Sequence, residues 1–202
     1  MISGGKYLGV LLALASIAMV NGADKDKGQF RPGPASSFES KQSNNGVTIA
    51  AVAYDSEALA KTAFGKVNPY EHGVLPVLVV IQNDSPTTLN LTGMRVEYIE
   101  ADRSRIDATP ARDVPFLRAP KRPNMNGTPL PGLGGRNKNP LAAREIEERG
   151  FAAKMLPAGD SAHGFFYFQS GHRRGGKLYL TTIREAPSGK DLFYFEIPLD
   201  TH

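Results

Sequence analysis

The chain alternates between stretches with a clear apolar rhythm and stretches with none. The first apolar run, Tyr7 to Val20, follows Lys6 and precedes Asn21-Gly22-Ala23 and the charged Asp24-Lys25-Asp26-Lys27. A short positive start, a greasy core and small residues before a polar break form the pattern of a secretory signal peptide. Residues 1–22 are read as that signal, with Val20 and Gly22 at the positions flanking cleavage. A membrane span needs about 20 apolar residues, so an uncleaved anchor is the weaker alternative. Residues 23–45 are polar and rich in Ser, Gly, Pro and Lys. Such a segment buries too little apolar surface to offset its ordering entropy, and a flexible linker is expected there.

Structure is expected from Gly46 onward. Val47 to Tyr54 reads as a strand, rich in β-branched residues. Asp55 offers an N-cap to the following helix, with Glu57 in its first turn, Leu59, Thr62 and Ala63 on one face, and Gly65 as its stop. Leu75 to Gln82 is apolar at nearly every position, the mark of a strand buried on both faces. Asn83-Asp84-Ser85-Pro86 signals a turn. Leu89, Leu91, Met94, Val96 and Tyr98 then alternate with polar residues, as in a half-exposed antiparallel strand.

Regularity breaks down over residues 112–140, a Pro/Gly-rich loop. Loops that long inside a domain are usually functional or disordered. Leu141 to Arg149 returns to a helical pattern, with Glu145 and Arg149 in the favoured i, i+4 order. The last third is β: Gly164–Gln169, Lys177–Ile183 and Asp191–Leu199, the final two joined at Pro187-Ser188-Gly189-Lys190. Phe193, Phe195 and Ile197 share one face of the last strand and are expected to point inward. The pattern predicts an all-β fold over residues 46–202, an Ig-like antiparallel β-sandwich with two short helices in connections. Another antiparallel barrel or sandwich is the alternative topology.

Composition narrows the chemistry. The chain has no cysteine, which excludes disulfides, thiolate metal sites, a cysteine nucleophile and a lipid anchor on cysteine. An exported protein without disulfides fits a secreted or periplasmic location in a bacterium. The net charge of +4 weakly favours anionic polymers or membrane surfaces. It is not the clustered footprint of a nucleic-acid binder, and no nucleic acid is expected as partner. The histidines, His72, His163, His172 and His202, show no metal-ligand spacing, so neither a metal nor another cofactor is expected. Gly159-Asp160-Ser161 with His163 two residues on is similar to the start of a Gly-Asp-Ser hydrolase block. It precedes an aromatic strand instead of opening a helix, so no catalytic residue is assigned.

Two basic features remain as candidate binding sites. One is the long loop, with Arg118, Lys121, Arg122, Arg136 and Lys138. The other is the glycine-flanked segment His172, Arg173, Arg174 and Lys177, read as a hairpin tip. Arginine forks suit phosphate and carboxylate groups, and the competing explanation is that charged loops keep an all-β protein soluble.

Ala63-Phe64-Gly65, Asn68-Pro69-Tyr70, Gly73-Val74-Leu75-Pro76-Val77 and Ile81-Gln82-Asn83-Asp84-Ser85 resemble uncharacterised exported bacterial proteins with an Ig-like β-sandwich domain. The later Leu156-Pro157-Ala158-Gly159 and Gly164-Phe165-Phe166-Tyr167-Phe168 are similar to their closing strands. The resemblance implies a fold and an envelope address and brings no catalytic residues. Some of those proteins are lipid-anchored, and this chain lacks the cysteine for that. The expectation is an exported non-enzymatic domain, binding or structural. Its partner would be an anionic envelope polymer, a lipid or another envelope protein. A secreted hydrolase with a non-contiguous site is the alternative.

Overall fold

In the computed structural model, which describes residues 30–117 and 139–200, the run Leu75–Asn83 is a strand buried throughout except at Gln82. Eleven strands and two α-helices are present among the described residues. In chain order they begin with β1 (Lys41–Asn44), β2 (Val47–Ala53), α1 (Glu57–Phe64), β3 (Leu75–Asn83), β4 (Leu89–Asn90) and β5 (Arg95–Ile99). There follow β6 (Arg105–Asp107), α2 (Arg144–Glu148), β7 (Met155–Leu156), β8 (Ser161–Phe168), β9 (Lys177–Thr181), β10 (Arg184–Glu185) and β11 (Phe195–Pro198). They form three antiparallel sheets with the orders β1-β2-β3-β8, β11-β9-β5-β6 and β10-β4-β7.

The two four-stranded sheets share one core. Val47, Ile49, Val77, Val79, Ile81 and Phe168 from the first meet Val96, Tyr98, Leu178, Leu180, Phe195 and Ile197 from the second. The alternate residues of the first sheet, Ala50, Leu78, Val80, Phe165 and Tyr167, form a second core. That core is covered by Ala60, Ala63 and Phe64 of α1, Ile146 of α2, and Val114 and Leu141 from two short 3-10 helices. Each apolar residue of β3 therefore has a covering layer whichever way it points. The architecture is all-β, with the helices serving as lids on one sheet.

Both lateral edges of the sandwich are closed. On one side the Glu196 amide of β11 donates to the Gln42 side chain on β1, at 2.7 Å. On the other, Thr109, just past β6, donates to the Tyr167 carbonyl of β8 at 2.7 Å. The adjoining edge of β8 is covered by residues 149–151: Phe165 donates to the Arg149 carbonyl and accepts from the Phe151 amide. That approach requires Gly164, since a Cβ there would lie 2.5 Å from Phe151 Cα.

Several local expectations change. Residues 30–45 do not behave as a lead-in, because β1 lies within them and Ala35 is fully buried. The missed signal is Asn45-Gly46, whose φ values of 49° and 76° make the tight two-residue turn joining β1 to β2. Ser56, not Asp55, caps α1, accepting from the Leu59 amide. The buried face of α1 is Ala60, Ala63 and Phe64, while Thr62 is exposed. Arg144 pairs with Glu148 in α2, and the Arg149 guanidinium lies over the Phe30 ring at 5.6 Å. The alternating stretch Leu89–Tyr98 divides between two sheets, β4 in one and β5 in another. Phe193 is 71% exposed. Leu192 takes the inward place, hydrogen-bonded to the Ile183 carbonyl, and the two outward residues Phe193 and Tyr194 follow before the ladder resumes at Phe195.

Asn83 ends β3 and is wholly buried. Its Nδ2 lies 2.9, 3.0 and 2.9 Å from the carbonyls of Thr87, Leu156 and Pro157. Its Oδ1 accepts from the Ser85 amide and hydroxyl. Its backbone N–H donates to Asp160, and its carbonyl accepts from Gly159. One side chain thus binds the 83–87 turn to the 156–160 turn and seats the three-stranded sheet on the end of the sandwich.

Asn83→Asp keeps the shape and removes both side-chain donors, turning carbonyl contacts into repulsions. A loss of about 3 kcal/mol or more is expected in urea unfolding, because several buried acceptors lose partners together. Unchanged stability would show that the junction is not held this way. Burial also raises the titration of Tyr54, Tyr98 and Tyr167, since it disfavours the phenolate. The folded state keeps these protons to higher pH than the unfolded chain. Stability is therefore complete below about pH 10 and falls as pH rises beyond it. Of the seven tyrosines, these three should give their phenolate absorbance only as the fold is lost. Reversible titration of all seven with the β-sheet circular dichroism intact would contradict this.

Candidate functional site

The segment Gly171–Gly176 is not a hairpin tip. It joins β8 to β9, which belong to different sheets, so it crosses one end of the sandwich. Its anchor is Tyr98, fully buried on β5. The Tyr98 hydroxyl is 3.2 Å from His172 Nδ1 and accepts from the Arg173 amide at 3.3 Å. His172 Nε2 faces Asp200 Oδ1, 3.6 Å away, a contact longer than a hydrogen bond. Asp200 also accepts from the Gly175 amide, and the Gly176 carbonyl accepts from Leu199. Gly176 is obligatory, since a Cβ there would fall 2.3 Å from the Tyr98 hydroxyl oxygen.

This network sorts the expected contact residues. His172 turns inward, with a side chain only 10% exposed, and is an anchor of the loop instead of a contact on its surface. Lys177 opens β9, where it is held 2.6 Å from Glu196 on the neighbouring strand. Arg173 and Arg174 remain exposed, and among the described residues no acid lies within ion-pair distance of either. Arg118, Lys121, Arg122, Arg136 and Lys138 lie outside the described residues.

The structure adds Arg103, which pattern reading passed over. It sits in the tight β5–β6 turn, where the Asp102 carboxylate accepts from the Ser104 amide and the Arg103 amide donates to the Glu100 carbonyl. The Ser104 contacts, with a smaller contribution from the Arg173 charge, hold Asp102 below the usual carboxylate range. Arg103 has φ +71°, a left-handed conformation that usually selects Gly or Asn. With Arg105, Lys177, Glu100, Glu196 and Gly175 it lines a hollow of about 330 Å³ beside the crossover loop.

A larger cleft, of about 560 Å³, opens between α2 and β8. Phe30 and Phe165 form its apolar wall, and Arg144, Glu145, Glu148, Arg149 and His163 its polar one. Glu148 is already engaged by Arg144. Ser161 is not among the residues lining the cleft, so the Ser161–His163 pairing considered from sequence is not assembled there. Among the described residues no group of three or more His, Asp or Glu side chains is placed to hold a metal ion. Also among them, no helix is long and apolar enough to cross a membrane. No protein-family model matches the chain, and comparison with curated proteins likewise gives no match.

Tyr98→Phe leaves the Arg173 amide and His172 Nδ1 without their shared partner. A stability loss of about 1–3 kcal/mol is expected, with hydrogen exchange accelerating at residues 172–176 and unchanged in β2 and β3. Protection of the crossover loop equal to that of the parent chain would disprove its anchoring by Tyr98.

Proposed function

We propose that the protein is an exported, envelope-associated binding domain that engages an anionic component through its arginine-bearing crossover loop. The observation that carries the reading is the contrast inside that loop. Its backbone is fixed by Tyr98, His172 and Asp200, while Arg173 and Arg174 are exposed, with no acid at ion-pair distance among the described residues and only a longer-range attraction between Arg173 and Asp102. A fixed backbone lowers the ordering entropy lost on binding, and arginine forks match carboxylate and phosphate oxygens. Export is supported by the pattern of residues 1–22, and the Ig-like topology by the resemblance of the strand motifs. Assembly through open strand edges is the less favoured role, since Gln42 and Thr109 close both sides of the sandwich.

The full chain should be retained on phosphatidylglycerol vesicles or on immobilised polygalacturonate at low ionic strength. Arg173→Ala/Arg174→Ala should weaken retention about 10–30-fold, from roughly 1 kcal/mol per arginine near an anionic surface. Salt near 1 M, where the screening length is about 3 Å, should suppress the electrostatic part. Retention indifferent to both salt and the double substitution would refute the reading.

A further inference from the structure

The outward face of the sheet β11-β9-β5-β6 carries an aromatic band. Tyr194, 53% exposed, lies beside Tyr179 of β9 with ring centroids 5.5 Å apart and planes 32° from parallel. The Arg105 guanidinium covers the Tyr179 ring at 4.9 Å. Phe193, beside Tyr194 in sequence, is 71% exposed. Charged pairs flank the band: Arg105 with Glu97 at 3.0 Å and Lys177 with Glu196 at 2.6 Å. Arg105 and Lys177 also line the hollow, together with Arg103 of the β5–β6 turn.

We propose that this face binds an acidic polysaccharide, with a sugar ring lying on the exposed Tyr194, which Tyr179 and Arg105 back from behind, and a uronate carboxylate meeting Arg103 at the hollow. The inference deepens the function proposed above and rests on it for the anionic nature of the partner. A pyranose ring has a flat C–H face and a rim of hydroxyls. The tyrosines match the face, and the paired ions offer both donors and acceptors to the rim, since a guanidinium has five N–H groups and a carboxylate about four lone-pair sites. A lipid headgroup has no flat apolar face to use the tyrosines. Of the three cations at the hollow, Arg103 is the one with no acid at ion-pair distance among the described residues. Its left-handed backbone would be better served by glycine.

The test uses the full chain with three probes at physiological salt: polygalacturonate, neutral dextran and phosphatidylglycerol vesicles. The parent should bind polygalacturonate more tightly than dextran. Tyr179→Ala/Tyr194→Ala should weaken polygalacturonate binding at least tenfold, and Arg103→Gly should weaken it about fivefold, from roughly 1 kcal/mol for one arginine, with dextran binding unchanged. The tyrosine variant gives up the ring contacts of Tyr179 with Tyr194 and Arg105 and should melt somewhat lower, so binding is compared well below its own transition, while Arg103→Gly should melt no lower than the parent. Polygalacturonate binding unaltered in the tyrosine variant overturns the platform. Binding to vesicles alone, lost in Arg173→Ala/Arg174→Ala and unaltered in the tyrosine variant, overturns the platform and leaves the electrostatic reading standing. Binding to none of the probes overturns both.

Discussion

The burial of β3 on both faces is the constraint from which the other layers follow. A strand with Leu75, Val77, Val79 and Ile81 on one side and Leu78 and Val80 on the other cannot be completed by a single partner surface. Full burial of each such side chain contributes about 1.5–3 kcal/mol, so exposing either face would forfeit several of these terms. The second sheet covers one side. The other is covered piecemeal by α1, α2 and 3-10 turns, whose aromatic contribution, Phe64, meets Phe165 and Tyr167 of β8 at centroid distances of 4.8 and 6.3 Å. The helices are short because each needs only to present one apolar patch to a sheet already hydrogen-bonded. At the end of the strand the constraint reverses. A buried chain must turn without stranding its polar groups, and Asn83 supplies donors and an acceptor at that point.

How much of this could be read in advance depended on whether the signal was local. The doubly apolar run at Leu75 and the glycine stop of α1 at Gly65 are local, and both appear in the structure. Asn83 was legible as a turn residue but not as a junction. Its partners Leu156 and Pro157 are more than seventy residues away, in the second of the two motifs on which the family resemblance rested. Leu89–Tyr98 shows why alternation alone misleads. Period-two patterning records which face is buried, and it survives when the chain leaves one sheet at Asn90 and joins another at Arg95. Phe193 fails for the converse reason. Consecutive outward residues shift the parity, and nothing in the aromatic content of the strand marks where.

The site was legible only in part. Glycines around Arg173 and Arg174 pointed to a displayed basic segment, and those two side chains are exposed. The same segment concealed the inward role of His172, because its partners, Tyr98 on β5 and Asp200 just past β11, are distant in sequence. Lys177 looked free for the same reason: Glu196, its neighbour across the sheet, is nineteen residues on. Net charge over a segment counts residues without knowing which are already paired. Arg103 was missed because an arginine in a turn is unremarkable until its backbone angle is known.

These pairings also bear on the kind of partner the protein can hold. A surface meant for dense phosphate would gain by leaving its cations unpaired, since affinity there comes largely from neutralised charge and released counterions. Here Arg105 and Lys177 are each tied to a glutamate on a neighbouring strand, which weakens the long-range field and retains local donors and acceptors. Such a surface discriminates by hydrogen-bond geometry more than by charge. Arg103, Arg173 and Arg174, which have no acid at ion-pair distance among the described residues, lie at one end of the face, where the crossover loop and the β5–β6 turn come together. Attraction of an anionic polymer would thus be concentrated at that end. Stacking and hydroxyl contacts would be spread along the aromatic band, and this division suits a chain molecule with regularly spaced carboxylates.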